Sequence, residues 1–264
     1  MQLDNIYGFL VAAIFFFMMN SCSSLNNVKV EDSYGKRIAY VQEGVGSPAI
    51  ILESGFDTGM ESWAGIIDSL AQYSKVYTYD RPGYGRSNKK DAPHTIEGVA
   101  KQLYANLVAR NIAPPYVLVG HAGGALFVNM FARLYPEITV GVLMVEPTHP
   151  DYYNYLRENE ALIYDLLFDY IGNGQRRYEF DLIKNASEEF SNAPEFPDIP
   201  LTILMAGRHT SLESEELKAK TLEFHEELKN MSSKGKRYLV EDSRMSIHRS
   251  DPQLVIDYVV QLLK

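Results

Sequence analysis

The sequence predicts an α/β fold in which helices cover both faces of a mostly parallel, eight-stranded sheet. Two patterns carry this prediction. Short apolar runs alternate with longer segments whose apolar side chains recur at helical spacing, and glycine-containing turns follow several of the short runs. The chain of 264 residues is 46% hydrophobic. That size and composition allow one large core, or one domain with an inserted cap.

Eight short apolar runs are expected to form the strands. They lie near residues 28–32, 37–43, 49–53, 76–80, 116–120, 140–146, 201–206 and 236–241. From the third run onward, helical segments alternate with the runs, which is typical of βαβ crossovers and parallel strands. Active sites of such sheets lie at the carboxyl ends of the strands. We therefore expect functional residues at that edge.

The N-terminal segment, residues 1–21, is expected to be an export signal. Residues 6–19 form a nearly unbroken apolar run of 14 residues, which is too short to span a bilayer comfortably and is typical of a signal peptide. The only cysteine, Cys22, follows directly, and this arrangement resembles a bacterial lipoprotein signal. The resemblance implies a lipidated Cys22 that anchors the exported protein to a membrane, facing the periplasm or the cell surface. A linker over residues 22–27 then leads to one domain over residues 28–264.

The charge of the chain limits its partners. The formal net charge of -9 at pH 7 argues against nucleic acid or an anionic membrane surface, because both reward clustered Lys and Arg. Membrane contact is therefore expected through Cys22 only. The six histidines show no paired ligand spacing, so we expect no metal and no cofactor. The sequence leaves the oligomeric state open.

The most informative segment is Gly120-His121-Ala122-Gly123-Gly124. It follows an apolar run and precedes a helix-compatible run, so it predicts a strand, a sharp turn and a helix. The glycines permit such a turn, which pushes the central side chain alone into the site. A nucleophilic serine stands at this point in serine hydrolases, whereas this chain has Ala122.

Two further segments fall in the order found in the α/β-hydrolase superfamily. Residues 50–56 resemble its third strand and oxyanion loop, and Asp80-Arg81-Pro82-Gly83-Tyr84-Gly85-Arg86-Ser87 resembles its fourth-strand loop. Together with residues 120–124, which we call the elbow, they make the chain similar to this superfamily along its length after residue 28. The resemblance implies the α/β-hydrolase fold and a serine hydrolase acting on carboxylic esters. We interpret Asp80 and Arg81 as residues that hold their loop in place.

The resemblance also assigns a base and an acid. His248 lies after the last strand and just before the C-terminal helix, where the family's catalytic histidine occurs. The loop after the seventh strand lacks the usual aspartate. Glu146, at the end of the sixth strand, is therefore the expected acid, with Asp151 and Glu213 as alternatives. Ala122, Glu146 and His248 then follow the superfamily's order of nucleophile, acid and base.

The oxyanion hole is expected from two backbone donors, the N–H of Phe56 and the N–H of Gly123. A replacement of serine by alanine leaves both donors in place. Residues 147–200 are expected to form a helical cap that is rich in Tyr and Phe. Most of these rings are expected to fill the core. A subset, which the sequence does not identify, would line a pocket for a small apolar ester or acyl ligand.

Three interpretations of Ala122 remain open at this point. The chain is a serine hydrolase whose nucleophile has been replaced, naturally or by mutation, so that it is inactive or traps its substrate. Alternatively, it is a natural relative without hydrolase activity that binds an apolar ligand, or a lyase that uses His248 as a base. We favour the first interpretation, because Glu146 and His248 are both present and a binding protein has no chemical need for them.

Overall fold

The computed structural model describes residue 25 and residues 27–33, 36–208 and 213–264. The predicted signal segment, Cys22 and most of the predicted linker lie outside these residues, so export and lipidation stay predictions. Within the described ranges, none of the helices combines the length and the apolar character that crossing a membrane requires.

An eight-stranded sheet forms the centre of the molecule and confirms the predicted fold class. Its strands are β1 (Lys29–Ser33), β2 (Lys36–Glu43), β3 (Ala49–Glu53), β4 (Val76–Tyr79), β5 (Tyr116–His121), β6 (Thr139–Val145), β7 (Leu201–Ala206) and β8 (Gly235–Val240). Their order across the sheet is β1-β2-β4-β3-β5-β6-β7-β8. The β1–β2 and β2–β4 pairs are antiparallel, and all later pairs are parallel. Each strand lies within one residue of its predicted bounds.

Helices lie on both faces of the sheet. They are α1 (Ala64–Leu70), α2 (Ile96–Ala109), α3 (Gly124–Leu134), α4 (Tyr152–Asn159), α5 (Ala161–Ile171), α6 (Gln175–Ile183), α7 (Ala186–Ser191), α8 (Glu215–Lys229), α9 (Ile247–Ser250) and α10 (Pro252–Leu262). Short 3₁₀ helices occur at Met60–Trp63 and Pro136–Ile138. Helices α4 to α7 lie between β6 and β7 in the chain, and we call this group the cap.

The central strands are buried along their whole length, because helices cover them on both sides. Every residue of β3 and β5 is buried, which explains the apolar runs that extend to Leu52 and Val119; Glu53 and His121, which end these strands, are buried too. One core joins the sheet to α2, α3 and the cap, and the other joins it to α1 and α10. The loops after β3 and β4 contact the cap, since the Asp57 N–H donates to Glu179 and Gln175 Nε2 donates to the Pro82 carbonyl.

Candidate functional site

The elbow has the sharp turn that its glycines predict. Strand β5 ends at His121, and Ala122 has a φ of 46° before helix α3 begins at Gly124. The Ala122 N–H donates to the Val145 carbonyl over 3.0 Å, and the Ala122 carbonyl accepts from the Thr148 N–H over 3.1 Å. A positive φ is uncommon outside glycine, so the surrounding structure must hold this residue in place. Residue 122 therefore has the backbone of an elbow although its side chain is a methyl group.

Two glycines allow a close approach behind the elbow. A Cβ on Gly120 would lie 2.8 Å from the Cα of Ala125, and a Cβ on Gly124 would lie 2.3 Å from the Ser54 carbonyl oxygen. Both distances are too short for a side chain. Glycine therefore lets α3 pack directly against residues 54–59, the segment after β3 that we call the oxyanion loop.

The two expected oxyanion donors lie close together. A Cβ on Gly123 would lie 3.6 Å from the Phe56 nitrogen and 3.8 Å from Cδ1 of Ile183 in the cap. Neither the Phe56 N–H nor the Gly123 N–H donates a hydrogen bond to a described residue. Two unpaired N–H groups beside the first turn of α3 form a polar spot that suits an acceptor such as a carbonyl oxygen.

Glu146 directly follows β6 and has a φ of 47°. Its N–H donates to the Leu204 carbonyl over 2.8 Å, and its Oε2 accepts from the Ala206 N–H over 2.5 Å. Burial raises the pKa of Glu146 to about 7; the Ala206 hydrogen bond opposes this effect and the charge of Glu213 adds to it. An acid that orients a catalytic histidine acts as a carboxylate. The surroundings of Glu146 shift its ionisation toward the neutral form.

The two alternative acids have other neighbours. The Asp151 carboxylate lies 3.8 Å from Nδ1 of His149, and Glu213 contributes its charge to the surroundings of Glu146. None of the three acids hydrogen-bonds to His248, because neither nitrogen of that ring has a partner among the described residues. These residues also contain no cluster of three or more His, Cys, Asp or Glu side chains that could hold a metal ion.

His248 lies in the short helix α9, and only 2% of its surface is exposed. Its ring centre lies 4.5 Å from that of Trp63 and 4.4 Å from that of His121. Burial lowers the pKa of His248 well below its usual range, and the nearby His121 and Arg249 add to this effect. The structure therefore brings the expected base together with His121 and Trp63, and joins it by no hydrogen bond to the expected acid.

His121 was not among the residues that the sequence singled out for the site. Its Nε2 lies 3.1 Å from the Met245 carbonyl oxygen, and burial lowers the pKa of His121 to about 4. It thereby links the elbow strand to residues 241–246, the loop after β8. In that loop the side chain of Met245 is 58% exposed, whereas His248, three residues further on, turns inward. The sequence did contain one signal for a role of His121 in the site, namely its position directly before Ala122.

Asp80 holds the turns next to the oxyanion loop. Its Oδ1 accepts from the Met60 N–H and its Oδ2 accepts from the Arg86 N–H, both over 3.1 Å. These bonds fix the start of the 3₁₀ helix and the loop after β4. They confirm the interpretation of Asp80 as a residue that holds its loop in place.

A buried ion-pair network reaches the oxyanion loop from the other side. Arg81 Nη1 donates to Glu53 Oε1 and to the Ser54 carbonyl, both over 2.7 Å, and Nη2 donates to the Gly55 carbonyl over 2.8 Å. Nη2 also donates to Glu179 in helix α6 of the cap. These bonds confirm the structural interpretation of Arg81. Glu179 lies in no recognised motif, so sequence reasoning missed it.

Fewer cap aromatics are buried in the core than the sequence predicted. Tyr153 and Phe180 are buried, and their ring centres lie 5.2 Å apart in a T-shaped contact. Tyr164 is partly buried and packs against the Phe180 ring at 6.2 Å, whereas Phe168, at the same distance from that ring, is 37% exposed. The cap contact next to Gly123 is instead aliphatic, since Ile183 supplies it.

Sequence and structure comparisons identify relatives of the chain. A family model for the alpha/beta hydrolase fold matches residues 48–194. The protein YqjL of Bacillus subtilis is 24% identical over 214 residues, which cover 81% of this chain and 83% of YqjL. A (lyso)-N-acylphosphatidylethanolamine lipase of Mus musculus is 27% identical over 101 residues, which cover 37% of this chain and 30% of the lipase. A thermophilic esterase from Thermogutta terrifontis aligns with a TM-score of 0.60 and 15% identity over 90% of this chain and 98% of the esterase. The chain belongs to the α/β-hydrolase fold family.

Proposed function

We propose that this chain binds a small apolar ester or acyl compound through its carbonyl group and does not hydrolyse it. The observation that carries the proposal is the elbow itself, where the methyl group of Ala122 stands in place of an attacking oxygen, beside two N–H groups without acceptors. The proposal keeps the ligand class expected from the sequence but adopts the second of its three interpretations. The reason for this change is that neither ring nitrogen of His248 has a hydrogen-bond partner among the described residues.

A carbonyl oxygen at the elbow has two backbone donors available to it. The N–H groups of Phe56 and Gly123 lie close together, and the N-terminus of α3 adds a positive partial charge. Helix α3 has no acidic residue in its first turn, so no side chain there opposes a partly negative oxygen. Each such hydrogen bond contributes about 0.5–1.5 kcal/mol net. These donors support binding without any attacking group.

An apolar acyl group matches the surroundings of the donors. The side chain of Ile183 lies over Gly123, and it belongs to the same buried cluster as Tyr153 and Phe180 of the cap. One sequence relative is named as a lipase for a (lyso)-N-acylated phospholipid, which carries acyl groups. Both observations favour a ligand that carries an acyl chain.

Hydrolysis by the family's serine mechanism requires a nucleophile, a base that takes its proton and an acid that orients the base. Ala122 supplies no oxygen. Both ring nitrogens of His248 lack partners, and the Glu146 carboxyl group binds the Ala206 N–H. In one serine protease, loss of the nucleophile alone lowers turnover roughly a millionfold. The three features together favour binding over turnover.

The ester 4-nitrophenyl butyrate provides the test. We expect saturable heat in calorimetry and no release of 4-nitrophenolate above the rate in buffer. Phe56→Pro removes the ring and the N–H, whereas the matched variant Phe56→Ala removes the ring only. We expect Phe56→Pro to weaken binding about two- to tenfold more than Phe56→Ala. The proposal is refuted if esters across a range of acyl lengths give no saturable heat, or if the chain releases 4-nitrophenolate faster than buffer.

A further inference from the structure

We infer that Glu179, a cap residue, sets the direction in which the Phe56 N–H points. It acts through Arg81 and through the backbone of the oxyanion loop, so it is a positioning residue and touches no ligand itself. This inference rests on the proposed function, in which the Phe56 N–H binds a carbonyl oxygen. It adds that the cap controls whether this donor is available.

The first step concerns the peptide group that carries the donor. The Gly55 carbonyl and the Phe56 N–H belong to one planar trans peptide, so the two groups point in opposite directions. Arg81 Nη2 donates to the Gly55 oxygen over 2.8 Å, and Thr58 Oγ1 donates to the same oxygen over 2.9 Å. A carbonyl held toward Arg81 directs the Phe56 N–H away from Arg81. That N–H is the one that lies close to Gly123 and has no acceptor.

The second step concerns what holds Arg81. Its Nη2 pairs with Glu179 Oε1, and the other carboxylate oxygen of Glu179 accepts from the Tyr84 hydroxyl and, over 3.0 Å, from the Asp57 N–H. One carboxylate thus fixes the chain on both sides of Phe56, through Arg81 before it and through Asp57 after it. Glu179 and Arg81 are both buried, with 2% and 5% of their surfaces exposed.

The third step concerns charge. Burial opposes the charge of Arg81, but the carboxylates of Glu179 and Glu53 outweigh it and raise the pKa of the guanidinium group. Without the Glu179 charge, Glu53 is the remaining carboxylate partner of Arg81, over 2.7 Å. We expect the guanidinium group to move toward Glu53 and to weaken its bond to the Gly55 carbonyl. The Gly55–Phe56 peptide then loses one of the bonds that orient it.

Helix α6 couples this orientation to the seating of the cap. Arg176, three residues before Glu179, pairs with Asp57 over 2.6 Å. Ile183, four residues after Glu179, lies against Gly123. Residues spaced by three and four share one face of a helix. The same helix face therefore closes the space over the donors and orients one of them.

The carbonyl stretching band of bound 4-nitrophenyl butyrate, labelled with ¹³C at the carbonyl carbon, is the readout. Hydrogen bonds to the oxygen move this band to lower wavenumber. We expect Glu179→Gln to move the bound band back toward higher wavenumber and to weaken binding about two- to fivefold. Tyr84→Phe removes one donor to Glu179 without unpairing a buried charge, so it should fold normally and shift the band less, in the same direction.

Glu189→Gln is the matched control. Glu189 also lies in the cap and ties it to the body of the protein, since its carboxylate accepts from the N–H groups of Ile96 and Glu97, both over 3.1 Å. We expect this variant to lower the melting temperature without moving the carbonyl band. Unchanged bands in Glu179→Gln and Tyr84→Phe, with ester binding intact, would overturn the inference and leave the proposed function standing. Absence of ester binding by the parent chain would overturn both.

Discussion

The elbow side of the candidate site and its acid–base side are held by different kinds of interaction. On the elbow side, backbone bonds and glycines fix Ala122, Phe56 and Gly123 in place. On the other side, Glu146 binds a backbone N–H of β7, and His248 packs between aromatic rings. The fold itself needs the first set of interactions, because α3 cannot approach β3 without them. The fold does not need an acid that is hydrogen-bonded to a base. Only a catalytic function would require such a pair.

The largest expected effect is on the elbow side. Gly124→Ala places a Cβ 2.3 Å from the Ser54 carbonyl oxygen and 2.6 Å from the Glu53 carbonyl oxygen, both backbone atoms that cannot move aside cheaply. We expect the free energy of unfolding in urea to fall by about 3 kcal/mol. Gly65→Ala is the control, because a Cβ there meets nothing within 4 Å. Equal effects of the two substitutions would show that the close packing behind the elbow is not needed for stability.

Low pH is expected to destabilise the folded chain through the buried histidines of the acid–base side, His121 and His248. The folded-state pKa of His121 is lowered to about 4 from the usual 6.5. Between these two pH values, the unfolded chain therefore binds a proton at His121 and the folded chain does not. The contribution of neutral His121 to the free energy of unfolding is complete above pH 6.5 and is lost as the pH falls toward 4. His121 alone accounts for about 3 kcal/mol over this window, and His248 adds to it in the same direction.

Urea unfolding at several pH values between 7 and 4 measures this loss. His121→Gln should make the free energy of unfolding less dependent on pH in that window. His94→Gln removes an exposed histidine and is the control for the loss of a histidine side chain as such. Identical slopes for the parent and both variants would contradict the assignment of the buried histidines as neutral.

Glu146→Gln separates an acid whose pKa is raised in the folded chain from a catalytic carboxylate with a stabilising partner. The folded-state pKa of Glu146 is raised to about 7 from 4.5, so its ionisation disfavours the folded state increasingly as the pH rises from 4.5 to 7. The residue is partly exposed, so we expect less than the full effect, a gain of about 1–2 kcal/mol for Glu146→Gln at pH 8. Glu213→Gln should give a smaller gain in the same direction. A loss of stability in Glu146→Gln would instead indicate an ionised carboxylate with a stabilising partner.

Local patterns predicted most of the fold. The apolar runs that became β3, β5 and β7 are short, buried and bounded by turns, and the glycines of the elbow indicate its geometry without reference to other segments. The interpretation of Arg81 also held, because its motif lies within one loop. The strands and the elbow depend on residues that are near one another in the chain, whereas the partners of Arg81 in the oxyanion loop, Ser54 and Gly55, lie 27 and 26 residues away.

The surroundings of His248 could not be predicted in this way. They depend on Trp63 and His121, which are far from His248 in the chain and come together only after the sheet and α1 have packed. The position of His248 before the last helix resembles that of a catalytic histidine, yet the first residues of α9 turn it inward. Glu179 was missed for a similar reason. A carboxylate in a cap helix has no motif, and its partners Asp57, Arg81 and Tyr84 lie 122, 98 and 95 residues away.

The smallest expected effect provides the most direct test of the central claim. Ala122→Ser supplies the missing oxygen at an elbow whose backbone is already in place. Because His248 has no hydrogen bond to Glu146, we expect hydrolysis of 4-nitrophenyl butyrate by this variant to stay within about tenfold of the parent chain. A rise of about a thousandfold or more that His248→Ala then abolishes would contradict the claim, and would show that the acid and the base work together after all.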